Sequence, residues 1–194
     1  MRGMSSAAYT LLELLFVMAI TATVASVAVP LTSDAIDAQR TRMAARYFAA
    51  RIAEARMQAV MRSASVGLKF EPGSPDYRFT SYLDGNHNGV RTADIRSGVD
   101  RPLIGAEHIG DNFPAVRFGL MAGLPDVNGA ANTGTDGVRI GSARILTMSA
   151  NGTATAGTLY LHGRRVQCAV RVLGITGRTR VLEYHTGDRK WINR

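Results

Sequence analysis

The chain of 194 residues has one cysteine, Cys168, so no disulfide can form within it. Lysine is almost absent: Lys69 and Lys190 are the only two, and the rest of the 23 basic residues are arginine. Its four histidines, His87, His108, His162 and His185, lie far apart without metal-ligand spacing, so no metal site and no cofactor is expected. Serine, histidine and aspartate occur without a recognisable nucleophile setting, and no enzymatic activity is expected. Proline is scarce at 6 residues against 20 glycines, which argues for a turn-rich β domain rather than a flexible linker protein. Acidic residues number only 15, leaving a net charge of +8. Arginine makes fixed, bidentate contacts with phosphate and carboxylate, although an arginine- and alanine-rich genome accounts for the excess equally well.

What is present begins with one long apolar run. Leu11 to Leu31 reads LLELLFVMAITATVASVAVPL, with Glu13 as its one charge. A helix of this length rises about 1.5 Å per residue and spans a hydrocarbon core of about 30 Å. Three readings compete. A secretory signal would have a shorter apolar core and a small-residue cleavage site; Ala28 offers one, but Pro30 and the continuing helical pattern oppose it. A plain anchor has no reason to carry a carboxylate, which costs about 2.5–3.5 kcal/mol at a helix centre and less near an end. The third reading places cleavage before the apolar run and gives Glu13 a cationic partner.

Ala8-Tyr9-Thr10-Leu11-Leu12-Glu13-Leu14 resembles the class III signal of type IV pilins and type II secretion pseudopilins. That family usually reads Gly-Phe-Thr-Leu-Ile-Glu-Leu, so Ala8 and Tyr9 depart from it. The resemblance implies cleavage between Ala8 and Tyr9 by a prepilin peptidase and methylation of the new Tyr9 amine. It places the family's glutamate on Glu13 and its helix-bending proline on Pro30. Glu13 of one subunit would then face the Tyr9 ammonium of the next, pairing a buried charge and setting register. Ala19, Ala22, Ala25, Ser26 and Ala28 would let neighbouring helices approach closely. Arg2 alone precedes the apolar run, whereas Arg40, Arg42 and Arg46 follow it; charge by itself favours the opposite orientation to the one the family implies.

From Ser33 the pattern turns amphipathic, with Ser33 or Asp34 available to cap a new segment after Pro30. Ile36, Met43, Tyr47, Phe48, Ile52, Ala55 and Ala59 are the expected core positions, and Arg40, Arg42, Arg46, Arg51, Arg56 and Arg62 a solvated face. One helix from about Thr10 to Ser63 would be roughly 80 Å long.

Strands are predicted at Val66–Phe70, Tyr77–Leu83, Ala115–Phe118, Ala143–Met148, Thr158–Leu161, Gln167–Leu173 and Arg180–Tyr184, with Ala122 to Gly141 a surface excursion. Asp84-Gly85-Asn86-His87-Asn88-Gly89 opens like a calcium loop, but Ile95 stands where the bidentate glutamate belongs, so an ordinary turn is read. Asn151-Gly152-Thr153 is read as a turn and Cys168 as core. The expected fold is α+β: a long N-terminal helix, transmembrane in its first half, packed on an antiparallel sheet. The domain plan is a leader at 1–8, a transmembrane and filament-core helix at 9–31, and a pilin-like globular domain at 32–194.

The domain also resembles the GspH/FimT branch of pilin-like proteins. The resemblance rests on Asp84–Gly89, Ser149-Ala150-Asn151-Gly152, Gly157–Leu161 and Thr176-Gly177-Arg178-Thr179-Arg180. From Tyr160 onward eight basic residues face only Glu183 and Asp188. In an extended segment Arg178 and Arg180 would point to one face about 7 Å apart, suited to successive phosphates. Gly177-Arg178-Thr179-Arg180 resembles the DNA-contacting motif of FimT-type minor pilins. That makes Arg178 and Arg180 candidate contacts to double-stranded DNA, joined on charge by Arg164, Arg165, Arg171 and Lys190. The implied partners are other pilins or pseudopilins, the prepilin peptidase, inner-membrane lipid and double-stranded DNA. The implied location is the inner membrane with the C-terminal domain periplasmic, then a type IV pilus or type II secretion pseudopilus.

Overall fold

The computed structural model describes residues 10–131 and 134–194. The leader, Ala8 and Tyr9 lie outside the described residues. The architecture is α+β, and the chain divides into two compact units that meet between Ile36 and Asp37. The first helix, α1, is assigned without a break from Leu11 to Arg62, so Pro30 sits inside it and no new cap forms at Ser33 or Asp34. The Ser33 hydroxyl instead donates back to the Pro30 carbonyl at 2.9 Å.

In the first unit every residue from Thr10 to Ser33 is exposed. Leu11 is 79%, Phe16 68% and Val29 67% exposed, so this unit has no internal core.

In the second unit α1 buries Asp37, Thr41, Ala44, Ala45, Phe48, Ile52, Ala55 and Ala59. Steps of three and four keep these on one side, and the alanines let strands come close. Phe48 is the centre of an aromatic cluster, with its ring 5.1 Å from Phe79, 5.4 Å from Phe118 and 5.8 Å from Phe70. Four buried rings in tilted and edge-on contact supply apolar burial and quadrupole complementarity together. Two core expectations fail: Ile36, in the first unit, is 45% exposed, and Met43, which lies off the arc that faces the strands, is 48% exposed.

Ten strands follow. One sheet has the order β3-β2-β1-β6, from β1 (Val66–Pro72), β2 (Tyr77–Leu83), β3 (Arg101–His108) and β6 (Ile145–Met148). The other has the order β10-β9-β8-β7-β4, from β4 (Arg117–Phe118), β7 (Gly157–His162), β8 (Gln167–Val172), β9 (Thr179–His185) and β10 (Lys190–Asn193). β5 (Val138–Arg139) also pairs with β7, and every pairing is antiparallel. Asp76 ties the two sheets together: one carboxylate oxygen accepts the Phe118 N–H at 2.7 Å and the other meets His108 Nε2.

Three strands escape the sequence pattern. β3 contains Pro102 and Gly105, both hostile to a central strand but tolerated at the sheet edge it occupies. β5 is two residues long, and β10 is a short C-terminal edge. The stretch Ala122–Gly141 is therefore no simple excursion: Val138 and Ile140 are buried, and its first part covers the second face of the larger sheet. Tyr160 Oη accepts the Val127 N–H at 3.2 Å, and Trp191 Nε1 donates to the Pro125 carbonyl at 3.2 Å. Asp84–Gly89 is a turn, closed by Asp84 accepting the Asn86 and Gly89 N–H groups and by Asp100 accepting that of Gly85.

Candidate functional site

In the first unit, Thr10 stands just before α1, and its Oγ1 accepts the Glu13 N–H at 3.2 Å. Thr10-x-x-Glu13 thus supplies the hydroxyl half of a capping box. Glu13 occupies the first turn, where the positive end of the helix favours a carboxylate. Its position lowers the cost of an apolar setting below that of a mid-helix charge. Among the described residues no ion pair reaches it, so any cationic partner comes from elsewhere. The polar side chains further along are closed internally. Thr21 donates to Val17 and Met18 carbonyls, Thr23 to Ile20, Ser26 to Thr23 and Thr32 to Ala28, all within 2.7–2.9 Å. A helix that satisfies its own hydroxyls presents an apolar exterior, the requirement for lipid or for a bundle of like helices. By length and composition α1 can cross a membrane near its N-terminus.

The second unit separates the C-terminal arginines. Arg164 and Arg165 sit in the turn between β7 and β8, where Asp37 accepts the Arg164 N–H at 2.9 Å. Lys190 pairs with His185 at that same end of the larger sheet. Arg178 lies at the other end of β8, one residue before β9, its carbonyl accepting the Leu173 N–H at 2.9 Å. The length of β8 keeps the two ends roughly 17 Å apart. Arg180 and Arg171 are brought together, directly opposite across β9 and β8. Register carries that row on: Arg171 opposes Thr158 on β7, and Thr158 opposes Arg139 on β5. Opposed residues share a face, so Arg139, Arg171 and Arg180 lie along one line on the face away from α1. Arg171 donates to Asn128 Oδ1 at 2.9 Å, and the Arg139 guanidinium lies 5.2 Å from the centre of the Tyr160 ring. Burial raises the Tyr160 hydroxyl above its ordinary pKa, opposed by the Val127 N–H and by Arg139.

Other arginines are held by carboxylates. Arg42 donates through Nε and Nη2 to both oxygens of Glu183, at 3.0 and 2.8 Å, and Arg194 Nε adds a third bond at 2.8 Å. These bonds, Arg42's first, hold the Glu183 carboxyl below the usual carboxylate range against the opposing pull of burial. Arg51 pairs with Glu54 at 2.6 Å and with Glu107. Arg42 and Arg51 therefore leave the expected solvated face, because carboxylates distant in sequence fold onto them. Sequence reasoning missed Arg139 because it stands within the glycine-rich stretch read as an excursion, and Glu183 because its partners lie far away. The Thr10 cap was legible from its spacing to Glu13.

Compared with known protein families, curated proteins and solved structures, the chain matches none.

Proposed function

We propose that the protein is a pilin-like structural subunit, made as a membrane-anchored precursor and assembled through its N-terminal helix into a type IV pilus or type II secretion pseudopilus. The α+β architecture with a long apolar N-terminal helix is compatible with such a subunit. The reading is carried by one observation. A carboxylate stands in the Thr10-capped first turn of α1, at the head of an exposed apolar stretch that runs to Ser33, and follows closely on the Ala8–Tyr9 junction. Cleavage there would create an ammonium four residues before Glu13, in reach of a neighbouring subunit's carboxylate. The globular unit would stand in the periplasm, and no catalytic role is assigned to it.

The test is mass spectrometry of the mature N-terminus from cells that carry a prepilin peptidase. The expected chain begins at N-methylated Tyr9. One beginning at Met1, or beyond Pro30, overturns the reading.

A second reading, double-stranded DNA binding on the same scaffold, is favoured by the row of Arg139, Arg171 and Arg180. Like charges directly opposite on neighbouring strands destabilise a sheet. Their retention in the row suits a polyanion lying across it. Retention of DNA by the full chain in detergent would fall steeply between low and moderate salt.

A further inference from the structure

The part of α1 in the second unit carries two apolar faces, and the strands cover only one. Roughly opposite Phe48, Ile52 and Ala55, the residues Met43, Arg46, Ala50, Ala53, Met57 and Val60 are all exposed. Met43, Met57 and Val60 are 48%, 53% and 51% exposed. Their spacing alternates three and four, the repeat by which one helix packs along another. Ala50 and Ala53 sit between the longer Met43 and Arg46 on one side and Met57 and Val60 on the other, which leaves a hollow for a partner's knobs. Past Ala53 the seam opens into a groove of 530 Å³ lined also by Met61, Gly177 and Arg178.

Charge decides what covers it. Arg46 is the one charged position in the seam, and Arg56 adds positive charge along the edge of the groove past Ala53. The nearest carboxylate on this stretch of helix, Glu54, is held by Arg51 at 2.6 Å. Two copies anchored through the same N-terminal span would run parallel, and a stagger that sets Glu13 against a neighbour's Tyr9 brings Arg46 of one copy to a seam that offers no free carboxylate, since Asp37 is buried and Glu54 is held. We infer that this seam receives an amphipathic helix of a different subunit, one with an apolar stripe and carboxylates at the level of Arg46. The inference rests on the filament-subunit reading for the parallel alignment; the seam and its charge stand independently of it.

The test uses the full chain in zwitterionic nanodiscs and two synthetic helices of about 30 residues. Both carry one leucine/alanine seam; one is flanked by glutamate and the other by lysine. Fluorescence anisotropy, corrected with empty nanodiscs, should show the glutamate helix binding at least about tenfold tighter. Arg46→Glu should invert the preference. Met57→Arg, which adds positive charge but blocks the seam, should abolish binding of both. Equal affinities, or indifference to Met57→Arg, would overturn the inference. So would symmetric disulfide formation between Met57→Cys chains in one membrane, which identifies a second copy as the occupant. A chain cut before Tyr9 that binds neither helix sinks only the seam. A chain starting at Met1 that still prefers the glutamate helix sinks only the filament reading.

Discussion

Arg42 and Glu183, 141 positions apart in the chain, face each other through two hydrogen bonds at 2.8 and 3.0 Å, with Arg194 closing the same carboxylate from the other side. The Glu183 side chain is only 7% exposed, so the pair fastens α1 to β9 rather than decorating the surface. Glu183→Gln should destabilise the globular unit by about 2 kcal/mol, the scale of hydrogen bonds to a charged group. Because Glu183 titrates below its ordinary range, the contribution is complete above the unfolded carboxyl value, about 4.3. It disappears as pH falls through the lower folded value. Urea unfolding of wild type and variant, followed by near-ultraviolet circular dichroism from pH 7 to 3, should show two curves converging only in the acid limb.

Glu13 lies in a unit with no core of its own, so its removal should leave the other unit's fold untouched. Glu13→Ala should reach the membrane in normal amounts and with a normal unfolding profile, yet fail to enter filaments. Thr10→Ala removes the cap, worth about 1 kcal/mol, and should weaken assembly less. Immunoblots of sheared filaments against membrane fractions measure both. Normal incorporation of Glu13→Ala would sink the charge-pairing account.

Arg180 stands against Arg171, and stability and binding should move oppositely when it is neutralised. Arg180→Gln relieves a like-charge opposition and should raise stability by roughly 0.2–1 kcal/mol. The same change combined with Arg178→Gln should reduce retention of double-stranded DNA and flatten its salt dependence. Arg164→Gln, at the far end of the sheet, should change retention less. Identical electrophoretic shifts for wild type and the Arg178→Gln/Arg180→Gln double variant would remove this surface as a DNA contact.

Cys168 is 1% exposed, and burial, aided by Glu183, pushes its thiol up to about 12. The native protein should resist a thiol-reactive dye at pH 8 and react fully in denaturant. Rapid labelling of the folded chain would contradict its place between α1 and the larger sheet.

The seven strands read from residue patterns all occur, with ends displaced by up to two residues. They were legible because alternating apolar residues between turn signals reflect a local requirement, one face in and one face out. The strands that went unread are edges or fragments: β3 around Pro102, β5 at Val138–Arg139 and β10 at the C-terminus. Their pairing is granted by neighbours already in place, which no local pattern records. The same division runs through α1. Phe48, Ile52, Ala55 and Ala59 were readable as core from spacing, but Met43 carries the same spacing and stays exposed. Periodicity says that a residue shares a face with others of its kind; it does not say whether anything covers that face.

By itself the amino-acid order determined the apolar helix, its lone early carboxylate and the order of helix then strands, since these follow from short-range periodicity and transfer energies along contiguous segments. Only the tertiary structure decided which arginines are paired with a buried carboxylate and which are brought onto one face. Glu183 takes Arg42 and Arg194, while register sets Arg139, Arg171 and Arg180 in one row and parts them from Arg164, Arg165 and Lys190. Ion pairs and cross-strand neighbours join residues far apart in the chain, and their partners exist only once the strands have chosen their order.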